Sequence, residues 1–173
     1  VSTPNTIDRV SLPSHKTTRI LQNNDEMKKK YSELKISQKE FFKVDIGDGI
    51  ELFGWMIKPL DFDASRKYPV IFNIYGEPAG STVQNSFGGG DLWHQFLSQQ
   101  GYIIMSIDNR GTAMPRGREW RKSIYGKIGI IAPEDHVKAV KKVLETYRFV
   151  DSQRVGIWGW SGGGSMTLNC MFR

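Results

Sequence analysis

The stretch Arg154-Val-Gly-Ile-Trp-Gly-Trp-Ser-Gly-Gly-Gly164 constrains the fold of this chain more than any other. Val155, Ile157 and Trp158 form a short apolar run of strand-forming residues, and Gly159-Trp160-Ser161-Gly162-Gly163 then matches G-x-S-x-G, the nucleophile elbow. Such an elbow joins the end of a parallel strand to the start of a helix. Its turn is so sharp that the serine backbone is strained and its neighbours must be small, which accounts for glycine at 159, 162 and 163 together. Ser161 is therefore expected at the C-terminal edge of a sheet with its Oγ exposed. The helix that starts behind it would offer backbone N–H donors to an oxyanion. The competing reading is a glycine-rich strand-to-helix turn in which Ser161 is only an N-cap. Phosphate-binding readings fail: G-x-G-x-x-G cannot be laid over residues 156–164 with its first glycine closing the strand, and a Walker loop would need Gly-Lys-Ser/Thr.

A chain of 173 residues is long enough for one domain with a real core. The position of the elbow argues for a different organisation. In an α/β-hydrolase sheet the acid and the histidine follow the serine in the order Ser, Asp/Glu, His, yet only 12 residues follow Ser161. The expectation is a chain cut off inside the helix that the elbow begins, with its catalytic acid and histidine beyond Arg173. The 3 histidines, His15, His94 and His136, all precede the serine. His15 sits in a Ser-His-Lys turn and the other two in helical stretches, and each is read as a surface or half-buried histidine without a catalytic part.

The formal charge of +6 is moderate and spread along the chain. One basic run, Arg110, Arg116, Arg118, Arg121, Lys122 and Lys127 against Glu119, would suit an anion or nucleic acid. With sparse aromatic interleaving and no nucleic-acid fold motif, it reads instead as a solvated or ion-paired loop. The single cysteine, Cys170, excludes an internal disulfide and falls on the apolar side of the last helix. No apolar run has the length of a membrane span, and Val1-Ser-Thr-Pro-Asn5 lacks a signal pattern.

Taken in order, residues 7–12 and 17–21 alternate apolar and polar about the turn Pro13-Ser-His-Lys16 and predict a hairpin. A lone hairpin is marginal in water, so these strands should belong to a larger sheet. Residues 22–38 predict a short linker helix, with Asn24 or Asp25 as N-cap and Met27, Tyr31 and Leu34 on one face. Residues 40–58 predict two antiparallel strands about Gly47-Asp-Gly49, ended by Pro59. The period then becomes β-α-β: an apolar strand at 70–75, a helix at 91–100 capped by Asp91, and a strand at 102–107. A helix over 134–148 follows Pro133, carrying Val137, Val140, Val143, Leu144 and Tyr147, and then come the strand at 154–159 and the elbow. Near-continuous apolar strands alternating with helices imply a parallel sheet covered on both faces. The fold class is thus α/β, the N-terminal part of an α/β-hydrolase sheet.

Four stretches at these spacings, Asn73-Ile-Tyr-Gly-Glu-Pro78, Asp108-Asn-Arg-Gly-Thr112, Tyr125-Gly-Lys-Ile-Gly129 and Gly156-Ile-Trp-Gly-Trp-Ser-Gly-Gly163, resemble the prolyl oligopeptidase family of serine peptidases, most closely its dipeptidyl peptidase IV-like branch. The resemblance covers about residues 36–173. It implies that residues 1–36 are the end of a β-propeller with its linker, and residues 37–173 the first part of a peptidase domain. It further implies Ser161 as nucleophile, with the Tyr75 hydroxyl and the Gly162 N–H as oxyanion hole and Gly159, Trp160 and Gly163 completing the elbow. Placement at strand ends agrees with where parallel sheets bind ligands. One departure concerns substrate choice: many members have tyrosine directly after the serine, where this chain has Gly162.

The resemblance implies covalent catalysis through an acyl-enzyme, with no metal or organic cofactor. Its implied partner is a peptide substrate, with a homodimer of the complete enzyme and a periplasmic or cell-envelope location. The expected activity is release of N-terminal Xaa-Pro or Xaa-Ala dipeptides by the complete protein, the 173 residues alone being inactive. The alternatives are an acylaminoacyl-peptidase or oligopeptidase of the same family, or a non-catalytic interaction domain that keeps the elbow for structure.

Overall fold

A computed structural model describes residues 3–78, 80–87 and 91–172. The side chain of Asp91, expected to cap a helix, lies outside the described residues. The chain divides into two compact units, one of residues 1–36 with 85–91 and one of residues 37–84 with 92–173.

The smaller unit contains the expected hairpin, β1 (Ile7–Val10) and β2 (Thr17–Gln22), paired antiparallel as a two-stranded sheet. Both strands are exposed along their whole length, which is why their alternation of residue types buries nothing here. Helix α1 (Asp25–Ser32) follows. Asn24 holds the N-cap position but in the left-handed region, at φ 58° and with no side-chain cap. Its amide is committed elsewhere, donating to the carbonyl of Asn5 at 2.6 Å. On the apolar face Tyr31 packs edge-on against Phe87, with ring centroids 4.7 Å apart.

The larger unit is built on a five-stranded mixed sheet in the order β3-β4-β6-β5-β7. Its strands are β3 (Glu40–Asp45), β4 (Glu51–Ile57), β5 (Tyr68–Asn73), β6 (Ile103–Asp108) and β7 (Val150–Trp158). The first two form the expected hairpin, with Glu40 opposite Met56 and Asp45 opposite Glu51. Gly47, Asp48 and Gly49 all take positive φ at its tip, a run that glycine and aspartate tolerate best. β4 pairs antiparallel with β6, while β6, β5 and β7 run parallel. The sheet is therefore parallel only in its second half. Among the described strands β7 stands at the edge, and its Val155 is 40% exposed.

The period-2 alternation of the strands assigns each residue to a face. Val70, Phe72 and Ile74 of the β5 segment join Ile103, Met105 and Ile107 of β6, Leu52 and Met56 of β4, and helical residues Ala132, Ala139, Val143 and Met166 in the main core. Trp55, Ile57 and Ile104 point the other way, where Ile71 and Leu97 complete a smaller cluster. Helices thus cover both faces, α2 (Asp91–Gln99) on one and α4 (Ile128–Thr146) with α5 (Gly162–Phe172) on the other.

Two helical expectations need correction. The segment 117–122 forms a short helix, α3 (Gly117–Lys122), where the sequence reading had a loop. Arg116 before it stacks on Trp120, its guanidinium 3.7 Å from the ring, so part of the basic run is spent on packing. The long helix starts at Ile128, not after Pro133, and carries that proline inside. Pro133 lies in the second turn, past the orphan N–H groups of the first, so the helical ladder forgoes one hydrogen bond at this position.

Candidate active site

The elbow takes the conformation that its glycines demand. Ser161 sits at φ 55°, in the left-handed region that a non-glycine residue adopts only where its surroundings impose it. It is exposed between the end of β7 and the first turn of α5. That turn is tied by bonds from the Gly164 N–H to the Ser161 carbonyl at 2.9 Å and from the Gly163 N–H to the Trp160 carbonyl at 2.8 Å. A Cβ at Gly159 would lie 2.5 Å from the Ile74 carbonyl oxygen, and one at Gly163 would overlap that same oxygen. Trp160, between strand and nucleophile, projects into solvent with 85% of its surface exposed.

Tyr75 follows β5, whose ladder to β7 ends with the Ile74 N–H donating to the Trp158 carbonyl at 3.1 Å. The elbow and Tyr75 thus leave neighbouring parallel strands at the same sheet edge. The backbone then turns at Gly76, φ 83°, where a Cβ would lie 2.6 Å from the Met166 Cε in α5. Glycine is needed there both for its dihedral and for the close approach of the elbow helix.

The loop after Tyr75 is clamped to the end of β6 by Asp108. This carboxylate is 3% exposed and accepts from the Thr82 N–H at 2.9 Å, the Thr82 hydroxyl at 2.7 Å and the Val83 N–H at 3.1 Å. It also accepts from the Ser81 hydroxyl. Ser106, wholly buried on β6, extends the network by donating to the Asn73 carbonyl at 2.6 Å and meeting the Thr82 hydroxyl at 2.6 Å. Beyond β6, the Asn109 amide reaches the Arg110 carbonyl at 2.6 Å and the Gly76 carbonyl at 3.5 Å. Arg110 in turn donates from Nε and Nη2 to Asp135 of α4, at 3.0 and 2.7 Å. That hydrogen-bonded ion pair raises the Arg110 pKa above its ordinary value.

Glu77, within the stretch of residues 73–78, also belongs to this site. Its carboxylate lies against Gly162, such that a Cβ there would overlap it and lie 2.9 Å from the Glu77 Cγ.

The histidines require a correction. His94 and His136 are buried, at 5% and 3% exposure, where surface or half-buried residues were expected. His94 packs against the rings of Trp55 and Trp158, with centroids 5.2 and 6.1 Å away. Their spacing on amphipathic helices does put them on the inward face, but histidine composition alone gave no reason to bury them. Burial pushes the His136 pKa down to about 4 against the opposing pull of Asp108 and Asp135. His15 is exposed in the hairpin turn of the smaller unit. Among the described residues no group of three or more His, Cys, Asp or Glu side chains is arranged to hold a metal ion. No helix among them is long and apolar enough to cross a membrane.

Comparison with known proteins places these features in a lineage. The sequence profile of the prolyl oligopeptidase family matches residues 91–173. Human prolyl endopeptidase FAP is 36% identical over 147 residues, 84% of this chain and 19% of the relative. Dipeptidyl peptidase 4 of Arthroderma otae is 32% identical over 158 residues, 90% of this chain and 20% of the relative. The crystal structure of Porphyromonas gingivalis dipeptidyl peptidase 4 superposes with a TM-score of 0.90 at 34% identity, covering 99% of this chain and 24% of that one. The chain therefore spans about a fifth to a quarter of the length of these relatives. The sheet is part of an α/β-hydrolase fold, and with its elbow, its Tyr75 turn and these relatives the chain belongs to the prolyl oligopeptidase family.

Proposed function

We propose that the complete protein is a serine peptidase that releases N-terminal dipeptides with proline or alanine in second place, through an acyl-enzyme on Ser161. The observation that carries this reading is the strained, exposed backbone of Ser161 at φ 55° between a parallel strand and a helix N-terminus. A structural N-cap serine has no need of that dihedral, whereas a nucleophile presented above a sheet edge does. In this reading Ser161 attacks the peptide carbonyl, the Tyr75 hydroxyl and the Gly162 N–H stabilise the oxyanion, and water releases the acyl group. Residues 1–36 would belong to a β-propeller. The acid and histidine of the triad would come from parts of the complete protein outside these 173 residues, which alone would be inactive. His94 and His136, both buried, favour this over a histidine supplied from within.

The test is labelling by a fluorophosphonate together with turnover of a Gly-Pro aminocoumarin substrate by the complete protein. Both should vanish in Ser161→Ala. Labelling that survives this substitution would overturn the assignment of the nucleophile, and turnover restricted to blocked or internal peptide bonds would favour an acylaminoacyl-peptidase or oligopeptidase instead.

A further inference from the structure

Tyr75 carries its proposed oxyanion donor at the far end of a long side chain. The aim of the hydroxyl therefore depends on what holds the ring and the backbone on either side of it, and a misplacement of about 1 Å can cost about 10²-fold in rate. Three polar side chains at and just beyond the C-terminal end of β6 supply that hold. Ser106 donates to the Asn73 carbonyl at 2.6 Å, two residues before Tyr75, and the Asn109 amide reaches the Gly76 carbonyl at 3.5 Å, one residue after it. Asp108, between them in sequence, fixes the loop that flanks the ring. Each of its carboxylate oxygens accepts two bonds, Oδ1 from the N–H and hydroxyl of Thr82 and Oδ2 from the Val83 N–H and the Ser81 hydroxyl. The chain running into this stretch passes along the tyrosine: a Cβ on Gly80 would lie 3.6 Å from the Tyr75 Cε1 and 3.7 Å from its Cδ1.

Four bonds from three consecutive residues fix both the position and the plane of the loop. The buried Ser106 hydroxyl, 2.6 Å from that of Thr82, ties this clamp to the backbone anchor at Asn73. A carboxylate 3% exposed is costly to bury, and here it spends four hydrogen bonds on a stretch that leads directly to the ring. We propose that Asp108 is a positioning residue of the peptidase reaction: by clamping residues 81–83 it holds the loop against the Tyr75 ring and aims the hydroxyl at the oxyanion. This rests on the serine-peptidase reading of Ser161, with Tyr75 in the oxyanion hole.

The test is the kinetics of the complete protein on a Gly-Pro aminocoumarin substrate, for Asp108→Asn, Tyr75→Phe and the double variant. The amide keeps the shape of the side chain but turns one acceptor oxygen into a donor that faces two donors, so half of the clamp opens. Asp108→Asn should lower kcat about 10-fold and leave KM nearly unchanged, since the donor serves the transition state. In the Tyr75→Phe background the same substitution should change kcat by less than about twofold, because no hydroxyl is left to aim. Thr82→Val takes one hydroxyl from the clamp and keeps the backbone bonds of the loop. It should show the same dependence on Tyr75 at smaller size, and it decides the matter if Asp108→Asn does not fold. An equal loss of kcat in both backgrounds would reduce Asp108 to a stabilising part and overturn the proposal, as would wild-type kcat in a folded Asp108→Asn. Wild-type kinetics in Tyr75→Phe would overturn it by removing the donor it serves. Failure of the wild type to label with a fluorophosphonate at Ser161 or to turn over would instead overturn the peptidase reading, and this proposal with it.

Discussion

Gly163 lies so close beneath the turn after β5 that a Cβ on it would sit 3.3 Å from the Cα of Tyr75 and overlap the carbonyl oxygen of Ile74. The start of the elbow helix and the backbone that carries Tyr75 are thus in direct contact, with no side chain between them. This contact couples the position of the nucleophile to that of the tyrosine. It also predicts an asymmetry between adjacent glycines. Gly163→Ala must push two backbones apart and should severely lower the melting temperature or prevent folding. Gly164→Ala meets only the Gly159 carbonyl oxygen at 3.4 Å, an ordinary contact, and should leave stability unchanged or raise it by about 0.5–1 kcal/mol through helix propensity. Thermal melts of the two variants in the complete protein check this, and equal tolerance of both would contradict the close approach.

Asp108 is expected to hold the loop of residues 81–83. Its removal leaves two backbone N–H groups and two hydroxyls without their charged acceptor. Asp108→Ala should destabilise the protein on the order of 3 kcal/mol, with Asp108→Asn less damaging because one acceptor oxygen remains. Denaturant unfolding of both variants measures this, and near-wild-type stability of the alanine variant would show that the loop is held by other means.

His136 gives a pH dependence of definite sign. Burial lowers its pKa from the ordinary 6.5 to about 4, so the folded state keeps it neutral where the unfolded chain takes up a proton. The unfolded state then binds more protons across that window, and stability should fall as pH drops from about 6.5 to about 4, by up to roughly 3 kcal/mol. Asp63 and Asp151 also have lowered pKa values, from hydrogen bonds with Ser65 and Arg154 respectively, but their stabilisation is lost only below the ordinary carboxylate range. His136→Gln, which removes the titration, should flatten the slope between pH 6.5 and 4. An unchanged slope would assign it to other groups.

The elements that were legible in the sequence are those whose residues answer to local rules. The hairpin at Gly47-Asp-Gly49, the strands about Phe72 and Met105, and the elbow at Ser161 each carry a period or a turn signal of their own. The start of α4 is not legible in the sequence because Pro133 is an excellent first helical residue, and the packing of Ala132 into the core shows that the helix is already under way there. Helix α3 is six residues long, too short for periodicity to speak. The clamp of Asp108 joins residues 25–27 positions apart, and the contact of Glu77 with Gly162 spans the sheet edge. No spacing rule reaches such pairs. The charge of Glu77 was visible in the sequence, but its proximity to the nucleophile was not.

The role of Tyr75 can be tested by the difference between ground state and transition state. A phenol that donates to the tetrahedral oxyanion helps the transition state more than the bound peptide, so its loss should lower kcat and leave KM nearly unchanged. Tyr75→Phe keeps the ring against Gly80, where a Cβ would lie 3.6 Å from the Tyr75 Cε1, and keeps the backbone contact with Gly163. In the complete protein kcat/KM should fall about 10²- to 10³-fold, the usual effect of removing one oxyanion donor, with the melting temperature close to wild type. Gly162→Ala retains the backbone donor, yet it is no neutral control here, because its Cβ would displace the Glu77 carboxylate. Wild-type kinetics in Tyr75→Phe would remove the tyrosine from the oxyanion hole.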